Sequence, residues 1–167
     1  MTAVIDVASL CATWEEVCPA AEDLARAAAR LALSRGKAGT SIMRGTAIEL
    51  AISLADDAVQ QRLNRDWRGV DQPTNVLAFP AWNPDTPIPP GAPVLLGDVV
   101  LAFETAARES DEQGKPLSDH LSHLVVHGVL HLLGYDHATE AEAVAMESLE
   151  ASILASLGVP NPYRGTM

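Results

Sequence analysis

Residues 116–133 constrain the fold more than any other stretch. Leu117, Leu121, Leu124, Val125, Leu132 and Leu133 recur at the spacing of a core helix, and Gly134 stands where that helix must stop. A helix this apolar has to be buried by other elements. It nevertheless carries four histidines, His120, His123, His127 and His131, with a fifth, His137, just beyond its end.

The remaining elements can supply that cover. With 167 residues, 48% of them hydrophobic, the chain can bury a sizeable core, and one domain spanning 1–167 is expected. Residues 3–8, with Val4, Ile5 and Val7, read as an edge or buried strand. A helix follows, because Thr13 and Glu16 have capping-box spacing and Leu24, Ala27, Ala28 and Leu31 are helically spaced before Gly36; Pro19 is a second candidate for its first turn. In 47–54, Ile48, Leu50, Ile52 and Leu54 alternate with smaller or polar residues, the period of a half-buried strand.

Asp56 and Asp57 offer an N-cap for a short helix to about Asn64, followed by a polar turn over 65–73 and a strand over 74–79. Six prolines within 80–93 predict an irregular loop. A strand resumes over 95–102, with Gly97 marking a bulge or a close backbone approach, and a helix begins near Phe103. Thr139 and Glu142 form a second capping box for a last helix through Met146, Leu149, Ile153 and Leu157, closed by Gly158 and Pro160. The expected architecture is α+β: a small mixed sheet of about four strands packed with about five helices.

Charge and cysteine content narrow the function. Cys11 and Cys18 lie far from the histidines and read as reduced packing residues. The net charge of -11 disfavours a polyanionic partner, but residues 24–70 carry eight Lys or Arg against four acids, a local +4 that leaves -15 elsewhere. A locally basic face is compatible with RNA or another phosphate ligand. No apolar run approaches the ~20 residues of a membrane span and no secretory signal opens the chain, so a cytoplasmic, membrane-independent protein is expected.

His127 and His131 are four apart, so both imidazoles leave one helix face, ~6 Å apart along the axis. A left-handed turn at Gly134 would swing His137 to the same point. Three neutral imidazoles with an open fourth position describe a catalytic zinc site, in which an ion brings the pKa of its water to ~7. Nickel or cobalt satisfies the same spacing. His123, one turn ahead of His127, is an alternative third ligand. The pattern H-x-x-x-H-x-x-G-x-x-H resembles that of metzincin proteases, but Gly128 stands where their general-base Glu belongs, which demotes a peptidase. Asp136 is a candidate orienter or base, with a turn-forming role as the alternative.

The run His127-Gly-Val-Leu-His131-Leu-Leu-Gly134-Tyr-Asp-His137 resembles the signature of the YbeY family of bacterial metal-dependent endoribonucleases. Trp67-Arg68-Gly69 with Pro73-Thr-Asn-Val-Leu-Ala-Phe-Pro80 resembles the family's arginine-containing segment, and Leu96-Gly97-Asp98-Val-Val its strand before the helices, so the likeness spans about residues 60–160. The resemblance implies a zincin-like site with one zinc per chain on His127, His131 and His137, and Arg68 as the functional arginine. It further implies cleavage of single-stranded ribosomal RNA during small-subunit maturation and ribosome quality control, with ribosomal or assembly proteins as partners and no DNA. A guanidinium suits the role, since it stays charged and presents a planar fork to phosphate oxygens. Two alternatives stand beside this reading: a ribosome-assembly RNA-binding module with a mainly structural zinc, and a hydrolase of a small phosphate or amide substrate.

Overall fold

The alternating stretch beginning at residue 47 becomes an inner strand of a four-stranded mixed sheet. The computed structural model describes residues 2–36, 47–81, 89 and 91–163. Its strands are β1 (Thr2–Ser9), β2 (Ala47–Ala55), β3 (Val76–Pro80) and β4 (Val94–Ala102), ordered β1-β2-β4-β3. β1 runs parallel to β2 and β2 parallel to β4, whereas β3 pairs antiparallel to β4. In β2 the side chains of Ile48, Leu50, Ile52 and Leu54 are all buried, as their alternation requires. Gly97 proves to be both a bulge and a close approach: the β2–β4 register shifts between Glu49 and Leu50, and a Cβ at Gly97 (φ 144) would stand 2.3 Å from the Phe79 carbonyl oxygen.

Six helices complete the described chain: α1 (Thr13–Val17), α2 (Ala21–Arg35), α3 (Asp57–Arg68), α4 (Phe103–Glu112), α5 (Leu117–Leu132) and α6 (Glu140–Ser156). One more helix than expected arises because the segment after β1 divides. Cys18 precedes Pro19 and takes an extended conformation (φ -134, ψ 86), which breaks the helix before α2 can begin. Thr13 therefore caps nothing; Ser9 Oγ donates to Glu15 Oε2 at 2.8 Å instead. At α6 the expected cap forms, with Thr139 Oγ1 accepting from Glu142 N at 3.1 Å and donating to Glu142 Oε1 at 2.9 Å.

α3 also departs from expectation, running on to Arg68 rather than stopping near Asn64. Its buried face is polar by design of the contacts it makes. Gln60, fully buried, donates to the Val100 carbonyl at 3.0 Å and accepts from Thr74 N at 2.7 Å, while Asn64 Nδ2 donates to the Gln72 carbonyl at 2.7 Å. Gly69, at φ 72, ends the helix one residue after Arg68. The irregular loop expected over 80–93 lies mostly outside the described residues, as do Lys37 and Arg44 of the basic stretch.

α5 is the central helix, in contact with α2, α4 and α6 and with β3 and β4. Gly128 permits the sheet contact: a Cβ there would meet Val99 Cγ1 at 2.8 Å and Cγ2 at 3.2 Å. Cys18 is buried and Cys11 partly so, both as free thiols. No helix among the described residues is long and apolar enough to cross a membrane.

Candidate metal centre

At the end of α5 the helix closes in a Schellman turn. Tyr135 N donates to the Leu130 carbonyl and Gly134 N to the His131 carbonyl, each at 3.0 Å, with Gly134 at φ 102. The reversal carries His137 back over the helix, and Asp136 Oδ1 accepts from His137 N at 2.8 Å to fix the turn. His127, His131 and His137 then offer nitrogens that all lie within 4.8 Å of one another. The ring centroids are 4.5 Å apart for His127–His131, 5.1 Å for His131–His137 and 5.9 Å for His127–His137.

This donor set fits a divalent ion. Two imidazole nitrogens bound to one tetrahedral ion stand about 3.3 Å apart, from bond lengths of about 2.0–2.1 Å; His127 Nε2 and His131 Nε2 are 3.1 Å apart. Burial pushes the His131 imidazole below its ordinary pKa, and the neighbouring His127 and His137 act in the same direction, which keeps its lone pair available.

Behind the triad lies a support that sequence inspection missed. Glu150 of α6 is fully buried, and its Oε1 stands 2.5 Å from His127 Nδ1. By accepting from Nδ1–H the carboxylate orients the ring and leaves Nε2 facing His131. Glu150 Oε2 meets His123 Nε2 at 3.3 Å and also accepts from the Tyr163 hydroxyl. Burial pushes the Glu150 carboxyl up, but the bonds from His123, His127 and Tyr163 and the charge of His127 outweigh it and bring the pKa down to about 2. His123, His127 and Glu150 also cluster closely enough for a metal, yet Glu150 already spends its oxygens on three donors. His123 thus braces the carboxylate. His120 turns away altogether, its Nε2 2.8 Å from Glu109 Oε1 and only 3% of its surface exposed. The available signal for Glu150 was a charged residue on the apolar stripe of α6, four after Met146 and three before Ile153.

The triad opens into a cleft of about 680 Å³ between the C-terminal half of α5 and β3. Arg68, exposed at the end of α3, lines the same cleft, as do Asn75 and Asp136. Of the basic stretch, Arg68 alone among the described residues reaches it. Arg26 pairs with Asp23, Arg65 with Asp66, and Arg35 reaches Ser156 on α6. Gly128 also lines the cleft, and a Cβ there would crowd the side chain of Val99.

A family model described as Endoribonuclease YbeY matches residues 14–158. The chain belongs to the YbeY family. An Endoribonuclease YbeY of Paramagnetospirillum magneticum is 54% identical over 166 residues, covering 98% of each chain. One from Rhodopseudomonas palustris (strain BisB18) is 61% identical over 115 residues, 69% of this chain and 68% of that one. A solution structure of a Thermotoga maritima protein matches with a TM-score of 0.56 at 18% identity, over 97% of this chain and 100% of that one, a likeness of fold. The family match reaches back to residue 14, well ahead of the motifs that carry the resemblance, so it takes in most of α1 together with α2 and β2.

Proposed function

We propose that the chain, read over 1–167 as one metallohydrolase domain, is a zinc-dependent endoribonuclease that cuts single-stranded ribosomal RNA in the cytoplasm during small-subunit maturation and ribosome quality control. The observation that carries this reading is the convergence of His127, His131 and His137 in an open cleft that Arg68 also lines. Family membership adds the nuclease activity named for the relatives.

In this reading the three histidines hold one ion, with zinc preferred because three imidazoles and an open position suit it. When bound, such an ion supplies Lewis acidity toward a phosphoryl oxygen and acidifies water at neutral pH. Glu150 holds His127 in the tautomer that presents Nε2, and Asp136 fixes the turn that presents His137. Arg68 binds the phosphate and stabilises charge growing on its oxygens. Gly128 stands where a metzincin-type base would be, which separates this site from a peptidase of that type.

An RNA-binding module with a mainly structural zinc is not favoured. His137 is exposed, and the triad faces a cleft with no fourth protein donor among the described residues. Turnover of a defined unstructured RNA by wild type, His131→Ala and Arg68→Ala, each with its metal content measured, tests the proposal. Both variants should lose most activity, Arg68→Ala while keeping its metal. Unchanged cleavage by His131→Ala would remove the site, and failure of RNA to compete at the metal centre would favour a small substrate.

A further inference from the structure

Arg68 borders two depressions. Together with Ala78 and Pro80 it lines the triad cleft and also a second groove of about 620 Å³, whose walls include Trp67, Phe79 and Asp98. Val99 faces Gly128 of α5, so its neighbours Asp98 and Val100 face the opposite side of the sheet. The groove therefore lies across β3 from the histidines, and Arg68 is common to both.

Trp67 is the most exposed large apolar side chain among the described residues, at 76%. It precedes Arg68 in the last turn of α3, so the indole and the guanidinium leave the helix on adjacent flanks of the buried Gln60–Asn64 stripe. An aromatic face beside a cation is how proteins hold single-stranded nucleic acid: the ring stacks on a base and the cation meets the backbone. Asp98 is exposed and its side chain makes no hydrogen bond or ion pair among the described residues, and a carboxylate at a groove wall accepts from the exocyclic amine of a base.

We propose that this groove is a nucleobase subsite: an unpaired base of the RNA stacks on Trp67 with its amino edge toward Asp98, next along the strand from the phosphate held by Arg68. The inference rests on the RNA reading and names where the strand goes once it leaves the metal cleft. It also gives a reason for single-strandedness, since a base paired in a duplex cannot enter the groove.

The test is binding of a short unstructured oligoribonucleotide, and of its abasic counterpart, to the metal-loaded protein and to Trp67→Ala and Trp67→Phe. Loss of one stacked base should raise Kd for the intact oligomer about tenfold in Trp67→Ala, with Trp67→Phe recovering most of it. The abasic chain should bind wild type and Trp67→Ala alike. Equal affinity of wild type and Trp67→Ala for intact RNA, or an equal loss for intact and abasic chains, would overturn the subsite. Cleavage is followed in the same series with wild type: a wild type that cuts RNA while Trp67→Ala binds it normally defeats the subsite alone, and a wild type that stacks RNA but never cuts it defeats the nuclease reading alone.

Discussion

Replacing Glu150 by glutamine keeps the shape of the side chain and removes its charge, so it isolates what the carboxylate does for the metal site. Three donors converge on this buried group: His127 at Nδ1, His123 at Nε2 and the Tyr163 hydroxyl. With its amide oxygen toward His127, glutamine exchanges that charge-assisted bond for a neutral one at a cost of about 1 kcal/mol and presents an NH2 donor to His123 and Tyr163. Only the bond to His127 bears directly on an ion, and about 1 kcal/mol there weakens binding roughly fivefold; the looser orientation of the ring raises this to about tenfold or more. Competition with a chromophoric chelator measures the metal Kd directly. His123→Ala is the control, because it touches Glu150 from outside the triad and should change Kd by less than about threefold. A Glu150→Gln protein that holds metal within about twofold of wild type would show that the carboxylate is packing and not support.

Gly128→Ala should destabilise the fold by about 1–3 kcal/mol in thermal unfolding, since its Cβ would overlap Val99 Cγ1, and adding Val99→Ala should recover part of the loss. Gln60→Ala should cost roughly 2–3 kcal/mol and speed proteolytic nicking of the segment after Gly69, because it strands the Thr74 amide and the Val100 carbonyl. Burial holds His120 below its ordinary pKa of 6.5 despite the bond its ring donates to Glu109. The unfolded chain therefore takes up a proton that the folded one refuses, and His131 acts with the same sign. Urea unfolding of metal-free protein should show stability falling as pH drops below about 6.5, and a flat profile there would contradict the assignment.

Local rules made some of these features legible in the sequence and long-range contacts hid the others. The burial pattern of β2, the Thr139 cap and the Gly134 turn each depend on residues a few positions apart, and each forms as read. The histidine triad was legible for the same reason: helical spacing and one glycine turn generate it. The length of α3 was not, because Gln60 and Asn64 look like solvent-facing polar residues until the loop they clamp is in place. Glu150 acquires its role only when α6 packs beside α5, 23 residues away from His127 in sequence. Arg68 reaches the cleft through the extension of α3, and only the family resemblance pointed to it.

Two of the triad's imidazoles ride on a helix locked into the core, while the third sits on an exposed turn leading to another helix. If the triad holds an ion, as proposed, its capture and retention fall to different parts of the chain. In the proposed reading the helical pair is positioned by core packing, whereas the third imidazole depends on the short link between Leu132 and His137, which the turn at Gly134 and the Asp136 bond hold in place. Substitutions in that link should alter how fast metal is exchanged far more than where it is held.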